Sequence, residues 1–134
     1  MSIHSLTPLL AAWQARPKEI RYACASESEL LNFEAKHEAI PLEFRFLLAN
    51  FGGGAIGTEW VDGIEQLGET HMKFKAESGL NGWSLKDTFI IGWDGCGNPF
   101  GIHLPTRAIV TEDHNFGDVH EIASSFEAFL RNGL

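Results

Sequence analysis

Positive charge and cysteine are what this sequence has least of. Its 134 residues hold 10 lysines and arginines against 18 aspartates and glutamates, a formal net charge of −8. A chain this poor in bases cannot readily displace the counterions of a nucleic-acid backbone, which argues against direct nucleic-acid binding. A basic protein partner remains compatible with it. Cys24 and Cys96 are the only cysteines, too few for a disulfide framework, and both are expected to be reduced. No apolar run approaches the roughly 18–20 residues that span a bilayer. Leu9-Leu10-Ala11-Ala12 has no basic residue before it and is too short for a secretory signal, so a cytoplasmic location is expected. Walker-type and dinucleotide-binding glycine loops are missing, and no cofactor is expected.

What remains has the size and composition of one globular domain, with 44% hydrophobic and 21% charged residues. Acid is unevenly spread. From Ser26 to Gln66 only Lys36 and Arg45 interrupt the carboxylates, and from Ile109 to Leu130 there is no lysine or arginine.

The spacing predicts a first helix from Thr7 to about Arg16, with Leu6, Leu9, Leu10 and Trp13 on one side. Ile20–Ala25 reads as either a connector or a strand. A second helix begins at Ser26, because Ser26-x-x-Glu29 forms a capping box, and Leu30, Phe33 and His37 share its face. Pro41 ends that helix and starts a third, where Phe44, Leu47, Leu48 and Phe51 follow helical spacing. Gly52, Gly53 and Gly54 stop it by supplying left-handed backbone.

Beyond Gly54 the period changes. Ala55–Val61, with Trp60 as a large apolar residue, and Ile64–Leu67 read as strands, followed by a weak helix over Glu69–Ser78 and a loop carrying Trp83. Phe89–Trp93, Pro99–Leu104 and Ala108–Thr111 are strands, and Val119–Glu121 adds a short one. Phe89, Ile91 and Trp93 alternate with Ile90 and Gly92, which places the first three on one face. Asp94-Gly95-Cys96-Gly97-Asn98 forms the hairpin turn, with Gly95 and Gly97 free to take positive φ and Asp94 and Asn98 capping it. Asp113–Asp118 forms a polar turn. The last helix starts at Ser124, another capping-box serine, with Phe126, Phe129 and Leu130 facing the core. Helices, antiparallel strands and a closing helix make an α+β domain with one main sheet of five to six strands.

Chemistry is hard to find. Cys96 between glycines could expose a thiol, but none of the six histidines, at positions 4, 37, 71, 103, 114 and 120, forms a nucleophile motif with it. A small turn residue packed beneath the sheet is the expectation. Asp113, His114, Asn115, Asp118, His120 and Glu121 are the best metal candidates, yet they match neither a calcium loop nor a zinc signature. Asp94 and Asn98 read as a hairpin device, not as an ion site. No catalytic or metal-binding residue is expected.

Three segments in this order resemble the SUKH superfamily, named for a yeast cell-wall-synthesis regulator and its relatives. The first is Ile40-Pro41 with Phe44, Leu47-Leu48, Phe51 and the glycines at 52–54, although Gly52 stands where that family has asparagine. The second is Phe89–Gly92 with Asp94, Gly95, Gly97 and Asn98. The third is Ile122-Ala123 with Ser125-Phe126 and Phe129-Leu130. The resemblance covers about Glu27 to Leu130. These residues are structural, so it speaks to fold before function.

The resemblance implies binding without catalysis. Many bacterial members look like immunity proteins that neutralise a toxin, often a nuclease with a basic cleft. An acidic surface suits such a cleft, and Glu112, Asp113 and Asp118 are the expected contact cluster, on a turn that can protrude, with Trp83 as aromatic anchor. The alternative is an intracellular regulatory or scaffold domain with no toxin partner, and a metal-dependent enzyme is a third reading. The sequence does not specify an oligomeric state.

Overall fold

A computed structural model describes residues 5–115 and 117–134. His4, among the histidines considered above, and position 116, within the polar turn, lie outside the described residues. Near the start of the described residues a 3-10 turn, Thr7–Leu9, runs into helix α1 (Leu10–Gln14). Thr7 does not cap it: Leu6 precedes the 3-10 turn and Leu9 precedes α1, neither with a side-chain bond. The anchor is instead Trp13, fully buried, whose Nε1 donates to the Phe51 carbonyl at 2.7 Å. Residues 20–25 resolve as the end of a second 3-10 turn, Lys18–Ile20, then a single antiparallel bridge from Arg21 to Gly54.

Helix α2 (Glu27–Lys36) begins as its sequence predicts. The Glu29 N–H donates to Ser26 Oγ at 3.2 Å and the Ser26 N–H to Glu29 Oε1 at 2.9 Å. Leu30 and Phe33 are buried, but His37 lies beyond the helix end and is exposed. Pro41 caps helix α3 (Leu42–Asn50), and Phe44, Leu47, Leu48 and Phe51 are all buried. Gly52 then takes φ +91°, and a Cβ there would collide with the Tyr22 carbonyl oxygen, so conformation and space both require glycine.

Strands β1 (Gly54–Ile56) and β2 (Glu59–Val61) form a small antiparallel hairpin. Trp60 is not a core residue: it is 45% exposed and leans on Tyr22, with ring centroids 5.8 Å apart. The expected strand at 64–67 is also wrong, because helix α4 runs from Ile64 to Gly79. The Gly63 N–H donates to Gln66 Oε1 at 3.1 Å and closes its first turn. Its inward stripe, buried Leu67 with partly buried Ile64, His71 and Phe74, has helical spacing only once His71 counts as an inward residue.

The main sheet is antiparallel, in the order β3 (Thr88–Trp93), β4 (Pro99–His103), β5 (Ile109–Glu112), β6 (Val119–Ala123). Phe89, Ile91, Phe100, Ile102 and Ile109 enter one core with the helices, while Ile90 and Val110 join a smaller cluster with Leu85, Ala108 and Phe74. An irregularity between Ile90 and Gly92 breaks the alternation. It carries Trp93 to the Phe74 side, away from Phe89 and Ile91. Helix α5 (Phe126–Gly133) is capped one residue later than expected, since Ser125 Oγ, not Ser124, accepts the Ala128 N–H at 3.0 Å. Phe126, Phe129 and Leu130 are buried as predicted. The result is one α+β domain. Among the described residues, no helix is long and apolar enough to cross a membrane.

Candidate docking surface

The expected contact residues gather at one end of the main sheet, where two turns and a loop meet. Asp94 organises the first turn: its Oδ1 accepts the N–H groups of Cys96 at 2.8 Å and Asn98 at 2.9 Å, and Asn98 Nδ2 donates to its Oδ2 at 3.1 Å. Only Gly97 uses positive φ there, at +84°; Gly95 does not. Asn98 is 4% exposed. Its Oδ1 accepts the His114 N–H at 3.0 Å and faces His114 Nδ1, which ties this turn to the one at 113–118. In that second turn Asp113 Oδ1 accepts the Asn115 N–H at 2.7 Å and the Gly117 N–H donates to the Asp113 carbonyl, also at 2.7 Å.

Glu112 is not a contact residue. It is 6% exposed. Its Oε1 accepts the N–H groups of Ser84 and Leu85, each at 2.8 Å, and the Ser84 hydroxyl at 3.1 Å. The expectation of a protruding turn fails at Glu112 because the residue ends strand β5, and the neutral sequence Ser84-Leu85 gives no hint that a loop would wrap its carboxylate. The carboxylate instead pins the 80–87 loop to the end of β5, and that sets Trp83 in place. Trp83 is half-buried, donates to Glu77 Oε1 at 3.0 Å, and lies 5.9 Å from the Trp93 ring. Lys73 Nζ stands 4.1 Å above Trp93.

Asp113 and Asp118 stay at the surface, partly exposed and exposed respectively, and Glu121 is exposed on β6. Two residues join them that sequence reasoning did not place here. Trp93 arrives through the strand irregularity. Glu59 arrives because β2 runs beside β3, where the Asp62 N–H donates to the Ile91 carbonyl at 2.8 Å. Burial and the nearby charge of Asp94 push the Glu59 carboxyl up from its usual range. An incoming cation offsets the repulsion from Asp94 and favours the charged carboxylate.

Cys96 is exposed on the first turn, not packed under the sheet, and Cys24 is exposed as well; both are free thiols. Among the described residues no group of three histidines, cysteines, aspartates or glutamates is placed to hold a metal ion. The arrangement offers a preformed acidic rim around a half-buried tryptophan pair.

A family model described as SMI1 / KNR4 family (SUKH-1) matches residues 24–132. The match takes in α2 through the body of α5 and leaves α1 outside. No curated protein matches the chain.

Proposed function

The chain belongs to the SMI1/KNR4 (SUKH-1) family, and from that premise we propose that it is a non-enzymatic, cytoplasmic binding domain that neutralises a bacterial toxin by covering its active surface. One observation carries this reading. Glu112 and Asn98, both buried, hold three separate segments together so that Asp94, Asp113, Asp118 and Trp83 share one end of the sheet. A rigid acidic rim attracts a basic cleft at long range, and complementary charge of this kind raises association toward ~10⁸ M⁻¹s⁻¹ at low salt. The tryptophans then supply apolar area that charge alone does not. A standard interface of ~1,600 Å² is within reach of one end of such a domain. Occlusion requires shape and charge but no reacting group.

The test is co-expression. If a reading frame beside this gene encodes a toxin domain, the chain is expected to restore growth to cells producing that toxin and to copurify with it. Growth arrest that persists at equal expression, with no complex recovered, overturns the proposal and leaves a regulatory or scaffold domain.

A further inference from the structure

One cleft of this acidic molecule is basic. It lies between the end of α2, the middle of α4 and strand β3, and encloses about 520 Å³. That volume falls within the roughly 300–1,000 Å³ of ordinary small-molecule sites. Most arginines are already engaged: Arg45 with Glu27 and Glu34, Arg107 with Glu43, Arg131 with Glu127, and Arg16 with backbone carbonyls. Lys36 and Lys75 are not. Both line the cleft, both are exposed, and neither has an ion-pair partner among the described residues.

Two histidines stand with them. His71 is committed: its Nε2 lies 2.8 Å from the Ile90 carbonyl and its Nδ1 is 3.3 Å from Glu38 Oε1. That contact also occupies Glu38, the one acidic residue in the lining. His37 stacks on Phe33 at 4.6 Å, and among the described residues its ring nitrogens make no hydrogen bond. Ser78 Oγ, also in the lining, is buried without a hydrogen-bond partner among the described residues. Phe74 and Ile90 supply an apolar wall.

Two unpaired ammonium groups, an unpartnered imidazole and an unsatisfied hydroxyl beside an apolar wall are the complement of one ligand type. We propose that this cleft binds a small organic phosphate monoester, its dianionic head among Lys36, Lys75 and His37 and its apolar body on Phe74 and Ile90. A dianion draws on several cations at once, where a single carboxylate would leave most of them unused. The proposal stands apart from toxin binding and survives its failure.

The geometry makes a spectroscopic prediction. Burial first, then the charges of His71, Lys36 and Lys75, hold His37 below its usual pKa, with Glu38 opposing. A bound dianion outweighs those cations and raises it. Phenyl phosphate titrated into the full chain at constant ionic strength, followed by NMR, is expected to give saturating one-to-one shifts at the His37 ring and the Ser78 and Thr88 amides. The His37 pKa is expected to rise on binding. Phenol, which lacks the anion, is expected to leave these signals unmoved. Lys75→Glu, at an exposed position that should not disturb folding, is expected to weaken binding at least tenfold, and Lys75→Arg to restore most of it. Lys18→Glu, the same charge change at a distant site, is expected to alter affinity less than twofold. Shifts that grow linearly without saturation, or equal losses in Lys75→Glu and Lys18→Glu, would overturn the proposal.

Discussion

The helix-covered face of the main sheet and its turn end are held together by different physics. On the covered face, Phe44, Phe89, Phe100 and Phe126 pack with α1, α2, α3 and α5 in one continuous core. Many apolar contacts share the load, and the cohesion is indifferent to pH. At the turn end the segments are tied by Asp94, Asn98 and Glu112. A few charge-assisted bonds there carry what tens of contacts carry elsewhere. The contrast teaches where function can sit: shape is secured by the first region, which leaves the second free to carry charge.

The largest effect is expected on the covered face. Phe44→Ala and Phe126→Ala remove fully buried rings and should each cost about 3–5 kcal/mol, read by chemical denaturation. A loss below 1 kcal/mol would mean that the two regions do not differ as described.

Asp62, between β2 and α4, sharpens the comparison because it is half-buried, with its Oδ2 enclosed and without the support Glu112 enjoys. Its Oδ2 has no hydrogen-bond partner among the described residues, and burial raises its pKa from 3.8 to about 6, with Thr70 and His71 opposing. The folded state therefore holds this proton more tightly than the unfolded state. The stability this residue contributes is full below about pH 3.8, falls as pH rises toward 6, and stays lost above it. The loss amounts to about 3 kcal/mol at most. Asp62→Asn should thus gain on the wild type as pH rises from 4 to 7, measured by denaturation at each pH; parallel curves would refute this.

Glu112→Gln should cost about 2 kcal/mol, since hydrogen bonds to a charged acceptor become bonds to a neutral one and an amide N–H is turned toward donors. Loosening the 80–87 loop should also shift Trp83 emission to longer wavelength. Unchanged emission with normal stability would mean that Glu112 does not position Trp83. The smallest effect separates two adjacent serines: Ser125→Ala should cost about 1 kcal/mol and Ser124→Ala almost nothing. Reversed values would restore the earlier cap.

The same contrast explains which parts of the fold are legible in the chain. The covered face was legible because apolar periodicity is a local signal: Phe44, Leu47, Leu48 and Phe51 state their own burial. So was the Asp94–Asn98 turn, whose bonds span four residues. The body of helix α4 is legible over Glu69–Ser78, but its first turn, Ile64–Leu67, reads as a strand because the stripe that continues it runs through a histidine. Trp93 changed faces through a strand irregularity that no pattern marks. The burial of Glu112 has no local signal, since its partners lie 27 and 28 residues away in a loop of ordinary composition. Asp113 and Asp118 needed only exposure and a polar turn, which sequence supplies, whereas Glu59 needed the course of β2 beside β3.

The central claim is that the turn end is the surface that meets a basic toxin. The direct measurement is the association rate constant of the chain with its cognate toxin across a salt series, for wild type and for Asp113→Lys/Asp118→Lys. The account predicts that the double reversal slows association at least tenfold at low salt and flattens its salt dependence, while thermal stability stays within a few degrees of wild type. An association rate and salt slope indistinguishable from wild type would contradict it.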